Sequence, residues 1–81
     1  MNLEKALLDL VLPLCDDKER VSVKEMESLQ ENEIVLFVYA SSDDVARLIG
    51  RRGVMASALR SMMSIATRLD NKRLSIKFES Y

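Results

Sequence analysis

The sequence predicts an α+β domain with the element order α-β-β-α-α-β, and three observations carry that prediction. Leucines and valines recur every three or four residues near the amino end, the signature of a one-sided helix. Residues 34–40, IVLFVYA, form a short apolar run rich in β-branched and aromatic side chains, which suits a buried strand. Two further helical patterns follow, separated by a four-residue segment that holds both glycines of the 81-residue chain.

Residues 2–14 read as the first helix. Asn2 is a plausible N-cap, and Glu4 falls in the first turn, where the helix dipole favours an acid. Leu3, Leu7, Leu10, Val11 and Leu14 make one apolar stripe, and Pro13 ends or kinks the helix. Cys15 to Arg20 is a charged connector in which Asp16 and Asp17 look like a solvated turn. Residues 21–29 begin with alternation, Val21 and Val23 on one face, and read as a half-buried strand; Met26 falls off that register. A polar turn over 30–33 leads into the strand at 34–40, close enough for a hairpin.

Ser41, Ser42, Asp43 and Asp44 supply possible N-caps, most simply Ser42, for a short helix over Val45, Ala46, Leu48 and Ile49. Gly50 stops it. From Val54 to about Leu69 runs the longest helical pattern. Its apolar stripe is Met55, Leu59, Met62, Ala66 and Leu69, with Ser57, Arg60, Ser64 and Thr67 opposite. Asp70 and Asn71 make a turn. Residues 72–79 place Leu74, Ile76 and Phe78 on one face of a final strand. No repeat, low-complexity tract or linker divides residues 1–81, so one domain is expected.

Composition narrows the function. There is no His and a single Cys, which removes His-based triads, general bases and zinc sites and any internal disulfide. No apolar run approaches the roughly 18 residues that span a bilayer, and the amino end lacks the basic start and small-residue cleavage site of a signal peptide. The chain therefore reads as a cytoplasmic, non-enzymatic domain with no membrane partner, no metal and no cofactor. Asp43-Asp44 resembles a metal pair only superficially; a capping and first-turn role fits it better.

The net charge of −1 hides a split. Residues 1–44 hold four basic and eleven acidic side chains, whereas residues 45–73 hold seven basic ones against Asp70 alone. Binding to a polyanion depends on local potential, so the carboxyl half qualifies even though the whole chain is nearly neutral.

The charge concentrates at Gly50-Arg51-Arg52-Gly53. Glycine at both ends allows a sharp turn and close approach of a ligand backbone. The amides at the start of the next helix, near Val54 to Ala56, point to the same space, which suits phosphate. Arg51 and Arg52 add two guanidinium groups. A tight connection after a glycine C-cap would use the same residues, and G-x-x-G alone does not choose between the two. Its place between two helices, both intervening residues being Arg, and the strand hairpin before it favour the binding role.

Leu48-Ile49-Gly50-Arg51-Arg52-Gly53 followed by Ala58-Leu59-Arg60 resembles the IGxxG core of a KH domain. The element order is similar to the type II, bacterial arrangement. At this length the chain resembles the small bacterial single-KH RNA-binding proteins of the KhpA type. The motif itself covers residues 48–60; the element order extends the resemblance over nearly the whole chain. The resemblance implies a three-stranded sheet with helices packed on one face and single-stranded RNA bound across a groove. Gly50, Arg51, Arg52 and Gly53 would clamp the RNA backbone. Val45, Ile49 and Val54 would contribute to the groove beside it, strand residues in 34–38 would form its floor, and Arg60 matches a recurring basic position. It further implies a homodimer, a heteromer with a larger KhpB-type KH-domain protein, and roles as an RNA chaperone in cell elongation and envelope homeostasis. This sequence departs from the KH pattern after the second glycine, where Val54, Met55 and Ala56 replace a basic or polar residue, a β-branched one and isoleucine. The acidic first half is a second departure.

Met55, Met62 and Met63 are expected as core filler. Val54, Ala58 and Ile65 lie on a second line of the same helix, making its apolar sector wider than one core face needs, which suggests contact with another subunit. Cys15 is expected as a plain buried thiol. Phe37 and Tyr39 share one face of their strand, with core packing favoured over base stacking. Two other function classes compete. A helix-turn-helix-like DNA-binding module would send the long helix into a major groove, but Val54, Met55 and Ala56 stand where base-reading polar side chains belong. A pure protein-interaction module would use Gly50 and Gly53 only to fit a partner.

Overall fold

The computed structural model describes residues 2–27, 32–67 and 73–81. The elements are α1 (Leu3–Val11), β1 (Ser22–Glu27), β2 (Glu33–Ala40), α2 (Ser42–Ile49), α3 (Val54–Thr67) and β3 (Arg73–Ser80), with short 3-10 turns at Leu12–Leu14, Lys18–Arg20 and Arg51–Gly53. This is the expected α-β-β-α-α-β order. The turn expected at Asp70 and Asn71, Leu69 of the α3 stripe, and most of the turn over 30–33 lie outside the described residues.

The sheet runs β1-β2-β3, with β1 antiparallel to β2 as the hairpin requires and β3 parallel to β2. A parallel neighbour needs a crossover connection, and the α2–turn–α3 segment is that crossover. The predicted loop therefore sits within the segment that joins two adjacent strands.

The core lies between the helices and one face of the sheet. Leu7 and Val11 of α1, Leu36 and Val38 of β2, Leu48 of α2, and Leu59 and Met63 of α3 are fully buried, with Leu3, Cys15 and Leu74 close to it. Each such aliphatic side chain contributes roughly 1.5–3 kcal/mol on leaving water. Ile76 and Phe78 pack against this cluster beside Leu74, as their shared face predicts.

Several sequence expectations shift by one position. Asn2 caps α1, its side chain accepting from the Lys5 amide. Pro13 then tightens the chain into a 3-10 turn, which swings Leu14 outward to 38% exposure and turns Cys15 inward to 2%. The N-cap of α2 is Ser41 rather than Ser42: its backbone is extended (φ −63°, ψ 157°) and its hydroxyl accepts from the Asp44 amide. On α3 the inward line is Leu59 and Met63, with Met55 packed partly against them, while Met62 is 44% exposed. Phe37 and Tyr39 are not core residues. They lie on the sheet face away from the helices, half-buried, with their rings 6.2 Å apart and nearly parallel. The core uses the alternate residues of the same strand, Leu36, Val38 and Ala40.

Candidate nucleic-acid interface

The turn between α2 and α3 is built on two glycines with backbone angles that side chains disfavour. Gly50 closes α2, its amide bonding the Ala46 carbonyl, with φ 75° and ψ 175°. That combination belongs almost exclusively to glycine. A β-carbon there would stand 2.8 Å from the Met55 β-carbon and 2.9 Å from its amide nitrogen, so space excludes a side chain as firmly as the backbone does. Gly53 (φ 76°) faces open space, and its constraint is the backbone alone. Between them Arg52 adopts a left-handed conformation (φ 58°, ψ 24°), which non-glycine residues take at a cost of roughly 1–2 kcal/mol. The Gly53 amide closes the turn on the Gly50 carbonyl at 3.2 Å.

This backbone holds Arg51 and Arg52 out in water. Both are exposed, and no ion pair among the described residues involves either of them or Arg60. Arg60 stands exposed on α3, two helical turns, about 10 Å, beyond Gly53. Arg47 is different. Its Nη1 bonds Asp44 at 3.2 Å and pairs with Asp16. Here the acidic and basic halves of the sequence do meet; at the turn, among the described residues, they do not.

Asp44 is the anchor of that cluster. It is 1% exposed, and its two carboxylate oxygens accept the backbone amides of Asp16 and Asp17, each at 2.9 Å. Those two amides hold its pKa below the usual value, assisted by Ser41 and Arg47 and opposed by burial. The Asp16 carboxylate in turn raises the pKa of Arg47. The first-turn role expected for Asp43-Asp44 is present, and Asp44 also ties the connector after α1 to the start of α2.

Of the sequence-predicted site residues, Gly50, Arg51, Arg52 and Val54 line one open cavity of about 570 Å³, together with Arg47 and Met55. Gly53 completes the turn beside it. Val45 (half-buried) and Ile49 (37% exposed) share a different flank of α2 and do not line the cavity. Leu36 and Val38, two of the residues expected in a groove floor, are wholly buried beneath the helices and offer no surface. Arg47 and Met55 are the residues that the sequence did not assign to the site. Helical phase could have found Arg47, which stands one turn before Gly50. For Met55 the signal was only the bare space that Gly50 must leave.

A three-stranded sheet backed by helices, with a glycine-bounded cationic turn between two of them, defines a KH-type module, a binding fold rather than an enzyme. The family model described as KhpA/KhpB, KH domain matches residues 4–78. The chain belongs to that family. It is similar to the RNA-binding protein KhpA of Clostridium perfringens, 31% identical over 74 residues that cover 90% of this chain and 96% of the relative. The RNA-binding protein KhpA of Oceanobacillus iheyensis is 31% identical over 71 residues, 86% and 92% of the two chains. That of Borreliella burgdorferi is 29% identical over 68 residues, 84% and 80%. No solved structure matches this chain. Among the described residues no helix is long and apolar enough to cross a membrane.

Proposed function

We propose that this chain binds single-stranded RNA, gripping its sugar–phosphate backbone at Gly50, Arg51, Arg52 and Gly53. Val45, Ile49 and Val54 lie beside the strand, and Arg60 meets a more distant phosphate. One observation carries the reading: two arginines stand exposed and free of ion pairs among the described residues, on a turn whose glycines let a strand approach the amides closely. The relatives named RNA-binding protein KhpA support it.

Family membership carries the finer expectations. These are a cytoplasmic RNA chaperone, a homodimer, a heteromer with a larger KhpB-type KH-domain protein, and a part in cell elongation and envelope homeostasis. The exposed apolar side chains Met62 and Ile65 on α3 support the homodimer.

The test is binding of labelled single-stranded RNA across a salt series. Log affinity falls linearly with log salt, each phosphate contact adding about 0.7 to the slope. The double variant Arg51→Asp, Arg52→Asp loses binding while its melting temperature stays within a few degrees, because neither side chain is packed. Undiminished binding by that variant would refute the loop assignment, and a preference for duplex DNA would favour a helix-turn-helix-like role.

A further inference from the structure

We infer that the Arg47 side of the turn is a second nucleotide subsite, in which one base of the bound strand lies on Val54 and Met55 while its phosphate sits between Arg47 and the Arg51–Arg52 pair. The inference rests on the RNA reading above and extends it from the Val45 and Ile49 flank to the Arg47 side of the same turn.

The turn is a ridge with two sides. Two residues along an α-helix correspond to a rotation of about 200°, so Arg47 faces nearly opposite to Val45 and Ile49. The cavity follows Arg47. Neither Val45 nor Ile49 lines it, and its roughly 570 Å³ falls in the range of small-ligand sites. Its chemistry is split in a way that matches one nucleotide. Val54 and Met55 supply an apolar floor, three guanidinium groups stand at the rim, and no carboxylate lines it.

Two devices prepare this surface. Gly50 has no side chain, which leaves room for Met55 to close up against it; any β-carbon would displace the floor. Arg47 is held before any ligand arrives. Asp16 and Asp44 both engage Nη1, and Asp44 is itself fixed by two backbone amides. Among the described residues Nη2 and Nε carry no bond and keep their donors for a phosphate oxygen. An anchored guanidinium gives up less side-chain freedom on binding than the two unpaired ones in the turn. It also presents the fork geometry that suits phosphate.

Methyl and arginine-side-chain NMR on the intact chain tests this with a tetraribonucleotide, uridine monophosphate and inorganic phosphate as probes. The tetranucleotide shifts the Met55 methyl and the Arg47 Nε–H signal together with Ile49. Uridine monophosphate shifts Met55 and Arg47 but leaves Ile49 unmoved. Inorganic phosphate shifts the Nε–H signals of Arg47, Arg51 and Arg52 and leaves Met55 and Ile49 unmoved. Arg47→Gln lowers tetranucleotide affinity about tenfold, and Arg47→Lys, which keeps the charge beside Asp44, restores only part of it. If the tetranucleotide moves Ile49 and the turn but not Met55 and Arg47, the subsite is wrong while RNA binding stands. If it moves none of them, the RNA reading itself falls. If phosphate alone reproduces every shift, the base-binding half of the inference is overturned.

Discussion

At the residue scale, the two glycines of the turn do different work. Gly50 needs both an unusual backbone and an empty volume, because Met55 presses against it. Gly53 needs only the backbone. Gly50→Ala is therefore expected to cost about 3 kcal/mol or more, from strain plus overpacking. Gly53→Ala is expected to cost about 1–2 kcal/mol. Urea denaturation of the two variants checks the ordering, and equal losses would mean that Met55 yields easily. The motif itself was legible because both glycines of the chain fall three residues apart. The tight approach of Met55 was not, since nothing in a one-dimensional pattern says which later side chain leans on a turn.

At the element scale, the ends of the helices decide what sequence reading misses. Ser41 and Ser42 are chemically equivalent caps, and the backbone distinguishes them, extended at Ser41 and helical from Ser42 onward. Leu14 leaves the apolar stripe, while Cys15 is buried as expected, because a 3-10 turn advances the chain by a different rotation per residue than an α-helix does. Met62 turns outward while Met63 holds its expected core place, because neighbouring helix positions differ by about 100° and a wide apolar sector leaves the phase open. Phe37 and Tyr39 show the same limit in a strand: alternation separates the two faces but does not say which one the helices cover.

The same scale carries a prediction about pH. Asp44 joins the connector to α2 only as a carboxylate, and its pKa is lower in the folded chain than in the unfolded one. Its contribution is complete above the unfolded value, about 3.9, and is lost as pH falls below that toward the folded value. Urea midpoints measured between pH 7 and pH 3 are expected to drop more steeply for the parent than for Asp44→Asn, which is weaker at neutral pH and flatter below pH 4. Parallel curves would show that the bonds to the Asp16 and Asp17 amides add nothing.

At the scale of the whole molecule, the near-zero net charge conceals an arrangement that the linear split only partly describes. The acidic amino half reaches the basic half at Arg47 and pairs with its Nη1 there, while Arg51, Arg52 and Arg60 make no ion pair among the described residues. The total was therefore a poor guide and the local run a good one. The exposed line on α3 also belongs to this scale. For the proposed homodimer, Ile65→Glu is expected to convert a sedimenting dimer into a monomer with little change in melting temperature, since Ile65 is 76% exposed and outside the core. A parent that sediments as a monomer at high concentration would remove the homodimer.

The crossover between β2 and β3 has one more consequence. The gripping turn lies within the tether that joins two neighbouring strands, so binding there is expected to couple to their pairing. Anything that clasps it also fastens the sheet. Ligand occupancy would therefore be visible from far away, as slower exchange of amide protons in β3 and a melting point that climbs with the logarithm of ligand concentration.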